Sequence, residues 1–337
     1  MRKNFILDLF LYNKGIKGTA SILLGQPWFL RNPVYQYFLK KRVGQVVGKY
    51  RKAPFAIRIE NTNVCNARCY MCPHSTMKRK QGFMSKKLYQ KIIDQASELG
   101  VDFVNLHNFG EPLLDKDFVW RVEYAKQRGV AWVSTNTNGQ VLNKKLSKQL
   151  IKAGLDEIFI SLDAATKKTY QKIRIGLDFD KIVRNIKNLA SLRKKMNKDN
   201  PKIIVDFLEF DLNRQETNTF IKKWQGIVDG VCISQIHDWS LKKKNLFKSK
   251  FANYVSFSQS PCRLPFTELL INWDGTACLC CQDIEGEVIV GDANKQSLKK
   301  IWQGRVLDKI RKKHLTLDVN DLPLCQDCKL RTFWWAF

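Results

Sequence analysis

From about residue 54 onward, short runs rich in β-branched and aromatic residues alternate with longer amphipathic runs. The short runs FAIRIE (55–60), DFVNLHN (102–108), VAWVST (130–135), DEIFISL (156–162), KIIVDFLE (202–209) and VCISQI (231–236) are expected to be strands. The runs between them read as helices. In SKKLYQKIIDQASELG the apolar positions Leu88, Ile92, Ile93, Ala96 and Leu99 recur at helical spacing. Gly100, Gly129 and Gly154 each follow a helical run and precede a strand, where a left-handed C-terminal cap is wanted. Strictly alternating β and α units imply a parallel sheet with right-handed crossovers. Six units make an α/β fold of the partial, open (β/α)6 TIM-barrel type more readily than a closed eightfold barrel.

After Ile236 the alternation stops. Residues 237–260 are polar and Lys/Ser-rich, a linker or covering loop. Residues 261–337 hold six of the ten cysteines with little periodicity. So short a segment gains little from apolar burial, which points to a small module stapled by metal. The expected organisation is an N-terminal basic, aromatic helical segment (1–50), a core barrel (51–240), a linker (241–260) and the cysteine-rich module (261–337). No repeat and no low-complexity segment interrupts it.

Composition narrows the class. Basic residues outnumber acidic ones by 58 to 31, a formal charge of +27, and 44% of residues are hydrophobic. The chain is therefore globular, and the charge favours anionic partners or a membrane surface unless it serves solubility alone. The runs Arg193-Lys194-Lys195 and Lys242-Lys243-Lys244 read as solvated faces. Neither is interleaved with aromatics for base stacking, so nucleic acid is disfavoured as a partner. No run reaches the roughly 18 apolar residues of a membrane span. The N-terminal stretch imitates a secretory signal, but Asp8, Asn13 and Lys14 break its apolar run and no small-residue cleavage site follows. A helical cap on the barrel is the favoured reading. Contact with the inner membrane face through Phe5, Ile6, Leu9, Phe10, Trp28, Phe29 and Leu30 is the alternative. The expected compartment is the cytoplasm, where ten cysteines serve metal or catalysis before disulfides.

The first predicted strand runs directly into Glu60-Asn61-Thr62-Asn63-Val64-Cys65-Asn66-Ala67-Arg68-Cys69-Tyr70-Met71-Cys72-Pro73. CxxxCxxC at the C-terminal end of a barrel strand sets three thiolates around one point, suited to iron–sulfur clusters or zinc. Three ligands on a four-iron cluster leave one iron open to a small chelating molecule. A structural zinc site completed by His74 competes, but CxxxC fits the zinc knuckle poorly and structural zinc seldom sits at a catalytic barrel face.

Through CNARCYMC, with Tyr70 before Met71 and Cys72, the chain resembles the radical SAM superfamily over about residues 54–330. The resemblance implies a 4Fe–4S cluster on Cys65, Cys69 and Cys72 whose open iron is chelated by the amino and carboxylate groups of S-adenosylmethionine. Reductive cleavage would then give a 5′-deoxyadenosyl radical that abstracts a hydrogen atom from substrate. Gly110-Glu111-Pro112 is similar to the family's GGE-type motif for the methionine amino group, with Phe109 where the first glycine is frequent. Thr135-Asn136-Thr137-Asn138-Gly139 ends the third strand, and Asn138 joins the expected cofactor-binding set. Ser161-Leu162-Asp163 resembles the segment near the ribose, and Arg174 resembles an arginine that pairs with the carboxylate. Each motif alone is also ordinary turn chemistry; their order behind successive strands is what gives them weight.

In the C-terminal module, Cys262 is followed by twelve residues, Gly275, four residues and Cys280, and much later by Cys325-Gln326-Asp327-Cys328. Asp274-Gly275 is a hairpin signal, and a hairpin would bring its flanking cysteines together. Four thiolates then make a closed site, either a zinc ribbon or an iron–sulfur cluster. The module resembles a truncated SPASM, or twitch, domain, including the helix Ser297–Trp302, which implies one auxiliary 4Fe–4S cluster on Cys262, Cys280, Cys325 and Cys328. Cys278 and Cys281 compete with Cys280. Cys232 is expected to be a buried core thiol and His314 a surface residue.

The ligand spacing is similar to that of 2-deoxy-scyllo-inosamine dehydrogenase-type radical SAM enzymes. This implies an oxidoreductase that dehydrogenates an alcohol of a carbohydrate-like or anionic small molecule, served by a flavodoxin- or ferredoxin-type electron donor. Two other classes stay open: radical modification of a ribosomally made peptide, and a non-catalytic cluster-bearing adaptor for nucleic acid or membrane. His107, His237 and Asp238, at expected strand ends, are the candidate acid/base residues.

Overall fold

Alternation along the strands decides which side chains face the barrel interior. In the computed structural model, which describes residues 33–235, 261–326 and 328, strand β1 (Ala56–Ile59) buries Ile57 and Ile59 completely. The period of two sends Arg58, and Glu60 just beyond it, to the other side. The same parity holds in β2 (Phe103–Asn105), β3 (Trp132–Thr137), β4 (Glu157–Ser161), β5 (Lys202–Glu209) and β6 (Gly230–Gln235). Val104, Val133, Ile158, Ile160, Ile203, Val205 and Phe207 pack outward in one core; Asn105, Ser134, Ser161, Asp206, Cys232 and Ser234 take the inward positions.

The helices supply the outer half of that core. In chain order they are α1 (Pro33–Lys49), α2 (Lys86–Glu98), α3 (Phe118–Gln127), α4 (Lys144–Ala153), α5 (Lys167–Ile173), α6 (Phe179–Lys195) and α7 (Thr217–Trp224). Side-chain caps start them: Ser85 accepts from Leu88 N, Asn143 from Leu146 N, Thr166 from Thr169 N and Asp178 from Lys181 N. Gly100, Gly129 and Gly154 adopt positive φ beyond α2, α3 and α4, as their spacing anticipated.

Strands β1 to β6 are all parallel, and β6 ends the sheet without returning to β1, so the barrel is open. On the β1 side the sheet continues into the C-terminal module. β7 (Glu268–Ile271) pairs parallel with β1, placing Glu268 beside Ala56, and β8 (Thr276–Cys278) and β9 (Ile289–Asp292) follow antiparallel. The β7–β8 connection is the expected hairpin, with Gly275 at φ 94°. Helices α8 (Leu264–Thr267), α9 (Leu298–Trp302) and α10 (Arg305–Thr316) complete the module. It docks through named contacts: Trp273 lies against Gly82 and donates to Lys80 O at 3.2 Å, Lys91 reaches Ala293 O, and Trp302 donates to Tyr50 O.

The structure departs from several expectations. The second strand is shorter than its apolar run because Asn108 Nδ2 and Phe109 N turn to the Glu60 carboxylate. Arg193 leaves the solvated face of α6 to bond Asp229 and Pro201 O. His314 is buried, because α10 turns Leu307, Ile310 and His314, spaced i, i+3 and i+7, into the module. Cys232 faces the barrel interior, since its neighbours Val231 and Ile233 take the outward positions. The segments 1–32 and 236–260, and with them His237, Asp238, Lys242–Lys244 and the linker, lie outside the described residues. Among the described residues no helix is long and apolar enough to cross a membrane.

Candidate active site

The three-cysteine loop leaves β1 at Glu60 and is held on every side. Asn63 Oδ1 accepts from Gly82 N at 2.9 Å while its Nδ2 donates to Lys80 O at 3.0 Å. Arg68 N and Tyr70 N donate to Ile175 O and Ile173 O, tying the loop to the end of α5. Cys65, Cys69 and Cys72 are all free thiols and all half-buried. Burial, with the charges of Glu111, Cys69 and Cys72, pushes the Cys65 thiol up to about 12; burial and Cys69 push Cys72 up to about 11. Thiols that raise one another this way are near neighbours, and metal must take up the charge if they are to ionise together. Arg174 Nη1 lies 3.5 Å from Cys69 Sγ, a donor suited to a thiolate. His74, the fourth ligand a zinc site would need, has its Nε2 against Asn63 O at 2.7 Å.

The strand-end motifs converge on this loop. Glu111 N donates to Val64 O at 2.8 Å, and the Glu111 carboxylate accepts from Thr137 Oγ1 at 2.6 Å, Asn138 N at 2.7 Å and Leu113 N at 3.1 Å. Burial raises the Glu111 carboxyl above its ordinary range, and these donors oppose the rise. Asn138 spends its side-chain amide on Asn66 Oδ1, so its visible task is to brace the cysteine loop. Pro112 O accepts from Asn61 Nδ2. Asp163, at φ 55°, binds Arg174 through Oδ2 and Leu208 N through Oδ1. Ser161 ends β4 on the inward face, beside Asp206.

Deeper in the barrel, charges are paired. Arg58 forms a fork with Glu268 and also reaches Asn105 Oδ1. Arg79 forms a bidentate pair with fully buried Glu60 and donates to Ile284 O, joining β1 to the C-terminal module. Neither pair was legible beforehand, because their partners are 210 and 19 residues apart. His107 lies half-buried at the end of β2. Burial, then the charges of Arg58 and Arg174, lower it to about 3, so its ring is neutral, and its Nδ1 is buried without a hydrogen-bond partner.

The C-terminal cysteines sort into one group of five, with Cys278 apart. Burial raises Cys262, with Cys328, Cys325 and Cys281 adding to it; burial likewise raises Cys280, with Cys281, Cys262 and Cys325 adding. Cys278 answers to Asp283, Arg79 and Glu60 instead, and its Sγ accepts from Asn272 Nδ2 at 3.1 Å. Cys281 sits beside Arg58 and Glu268. Buried His314 backs the group, its Nδ1 accepting from Cys262 N at 3.3 Å. The donor set fits an all-cysteine cluster.

The sequence model of the radical SAM superfamily matches residues 59–202, and that of SPASM, an iron–sulfur cluster-binding domain, matches residues 262–329. A probable GTP 3′,8-cyclase of Saccharolobus islandicus is 33% identical over 189 residues, 56% of this chain and 58% of that relative's length. Two solved structures share the fold. BtrN in complex with AdoMet and 2-DOIA superposes with a TM-score of 0.58 at 19% identity, covering 82% of this chain and 94% of that one. Streptococcus suis SuiB bound to precursor peptide SuiA gives 0.65 at 16% identity, covering 81% and 70%. The two domains bring S-adenosylmethionine, its 4Fe–4S cluster and an auxiliary cluster as cofactors. With the first match over the barrel and the second over the cysteine-rich module, the chain carries a radical SAM domain followed by a SPASM-type iron–sulfur cluster-binding domain.

Proposed function

We propose that this chain is an oxidoreductase that dehydrogenates a secondary alcohol of a carbohydrate-like small molecule. In this reading Cys65, Cys69 and Cys72 hold the cluster that binds S-adenosylmethionine, and Cys262, Cys280, Cys325 and Cys328 hold the auxiliary one. When bound, the cofactors supply the radical that removes a carbinol hydrogen atom and the acceptor for the electron left behind.

The observation that carries the reading is the grouping of the C-terminal thiols. Four cysteines drawn from Cys262, Cys280, Cys281, Cys325 and Cys328 would leave a cluster no open position, which suits an electron acceptor better than a substrate-binding metal. The Arg58–Glu268 fork, next to Cys281, joins that group to the barrel interior. The likeness to BtrN, a structure solved with 2-DOIA, supports the same class. Gly110 and Glu111 would receive the amino group of S-adenosylmethionine, with Pro112 and Asn138 fixing the turn. Ser161 would stand at the ribose. Asp163 holds Arg174, whose guanidinium lies 3.5 Å from Cys69 Sγ and would compensate charge there and meet the carboxylate of the bound cofactor. His107, kept neutral, would hydrogen-bond substrate; His237 and Asp238, outside the described residues, stay candidates by their place in the sequence alone. A flavodoxin- or ferredoxin-type protein would supply the first electron.

The test is anaerobic turnover of reconstituted enzyme with S-adenosylmethionine, reductant and a panel of cyclitols, amino sugars and sugar phosphates. The expected result is one ketone per 5′-deoxyadenosine. Turnover of a peptide, with 5′-deoxyadenosine but no ketone from any alcohol, would replace this reading with peptide modification.

A further inference from the structure

The inward row formed by Ser161, Asp206 and Cys232 has no part in the cluster sites, yet it crosses the barrel beside Ser161, the residue placed at the ribose. The ladder register puts Ser161 directly opposite Asp206, and Asp206 directly opposite Cys232. Adjacent strands lie about 4.8 Å apart, so Asp206 is one strand from Ser161. Its flanking residues Val205 and Phe207 are fully buried against the helices, whereas Asp206 is half-buried, as befits a side chain on the open inner face.

Charge pairing, together with its level beside Ser161, singles this residue out; Glu157, in no ion pair among the described residues either, lies at the opposite end of β4. The interior arginines Arg58, Arg79 and Arg174 have Glu268, Glu60 and Asp163 as their carboxylates. Glu111 is saturated by three donors. Among the described residues Asp206 takes part in no ion pair; Ser234 Oγ donates to its Oδ1 at 3.1 Å, and the Cys232 thiol is its other neighbour. A carboxylate one strand from the ribose site, with lone pairs to spare and no ion-pair partner among the described residues, is a hydrogen-bond acceptor for substrate.

We propose that Asp206 is the catalytic residue that accepts the hydroxyl proton of the substrate, and that the substrate is a neutral or cationic polyol, not an anion. The inference rests on the dehydrogenase reading. Its balance is complete: the carbinol C–H hydrogen atom goes to form 5′-deoxyadenosine, and the O–H bond gives its proton to Asp206. The remaining electron passes to the oxidised auxiliary 4Fe–4S cluster as C–O becomes C=O. The groups facing Asp206 are Asp163 and Arg174 from the far end of β4 and from α5, and Cys232 and Ser234 from β6. Burial and Asp163 raise the Asp206 carboxyl to about 6, against Arg174 and the two donors. Near neutral pH it is thus a far stronger base than His107, which is lowered to about 3.

The experiment uses the reconstituted holoenzyme with Asp206→Asn and Asp206→Glu. Asp206→Asn is expected to keep its iron and to form 5′-deoxyadenosine, while ketone per 5′-deoxyadenosine falls about a hundredfold or more. Asp206→Glu should recover part of it. The wild type should show ketone formation rising through about pH 6, and this rise should vanish in Asp206→Asn. Independently of turnover, infrared difference spectra between pH 5 and pH 8 should show a protonated-carboxyl band, absent from Asp206→Asn and displaced by an added cyclitol. Wild-type coupling and pH profile retained in Asp206→Asn, or a band indifferent to the cyclitol, overturns the proposal. A wild type that oxidises no alcohol instead overturns the dehydrogenase reading, and this proposal with it.

Discussion

Gly110 presses its backbone onto Asn63: a Cβ built on Gly110 would lie 2.7 Å from Asn63 Cα and 2.8 Å from Thr62 O. Its φ of 90° is one that side-chain-bearing residues rarely adopt. The contact joins the end of the second strand to the loop that carries Cys65, Cys69 and Cys72, and the next residue adds the bond from Glu111 N to Val64 O. Gly110→Ala should therefore disturb the cysteine loop itself. The expected outcome is loss of the iron–sulfur absorbance associated with this loop, with the circular dichroism of the barrel retained. Full iron content in the variant would show that the close approach is dispensable.

The grouping of the C-terminal thiols separates neighbours in sequence. Cys280→Ser should remove the auxiliary cluster, whereas Cys278→Ser should leave the iron count unchanged, because Cys278 is occupied by Asn272 and Arg79. Iron and sulfide analysis of the two purified variants decides it; the opposite pattern would move the ligand to Cys278.

Glu157, at the start of β4, is 1% exposed, and burial followed by the charge of Asp156 raises its carboxyl to about 7 from an ordinary value of 4.5. The native state thus holds this proton to higher pH than the unfolded chain does. Its contribution is lost as pH rises from 4.5 to 7, and the cost of burying the charge is complete above that window, about 3 kcal/mol. Glu157→Gln should raise the urea midpoint at pH 8 and leave it nearly unchanged at pH 4.5. Equal shifts at both pH values would contradict the assignment.

The Arg79–Glu60 pair is buried, with side-chain exposures of 11% and 0%. Arg79→Ala strands the Glu60 carboxylate beside the cysteine loop and cuts the bond to Ile284 O, a cost of about 3–5 kcal/mol. Limited proteolysis should then release the C-terminal module faster than from the wild type. Replacing Glu60 and Arg79 together by Gln and Met should cost less than Arg79→Ala alone; a larger cost would mean that the pair itself is strongly stabilising.

Local patterns carried most of what could be read from the chain alone. The βα alternation, the left-handed Gly100, Gly129 and Gly154, the Asp274-Gly275 hairpin and CxxxCxxC are all short-range signals, and the structure realises the elements they announce. Pairings between distant residues had no such signal, and Arg58–Glu268 and the Ser161–Asp206–Cys232 row emerge only from strand order and register. Two misplacements were avoidable. Val231 and Ile233 already assign Cys232 to the opposite face of its strand, and Leu307, Ile310 and His314 already form one face of a helix.

Counting metal in the anaerobically reconstituted wild type and in a Cys65, Cys69 and Cys72 triple alanine variant tests the two-cluster account most directly. About eight irons per chain falling to about four, with acid-labile sulfide in step, is the expected result. About four irons falling to none, with zinc retained on the C-terminal cysteines, would contradict it and leave the barrel without an electron acceptor at its side.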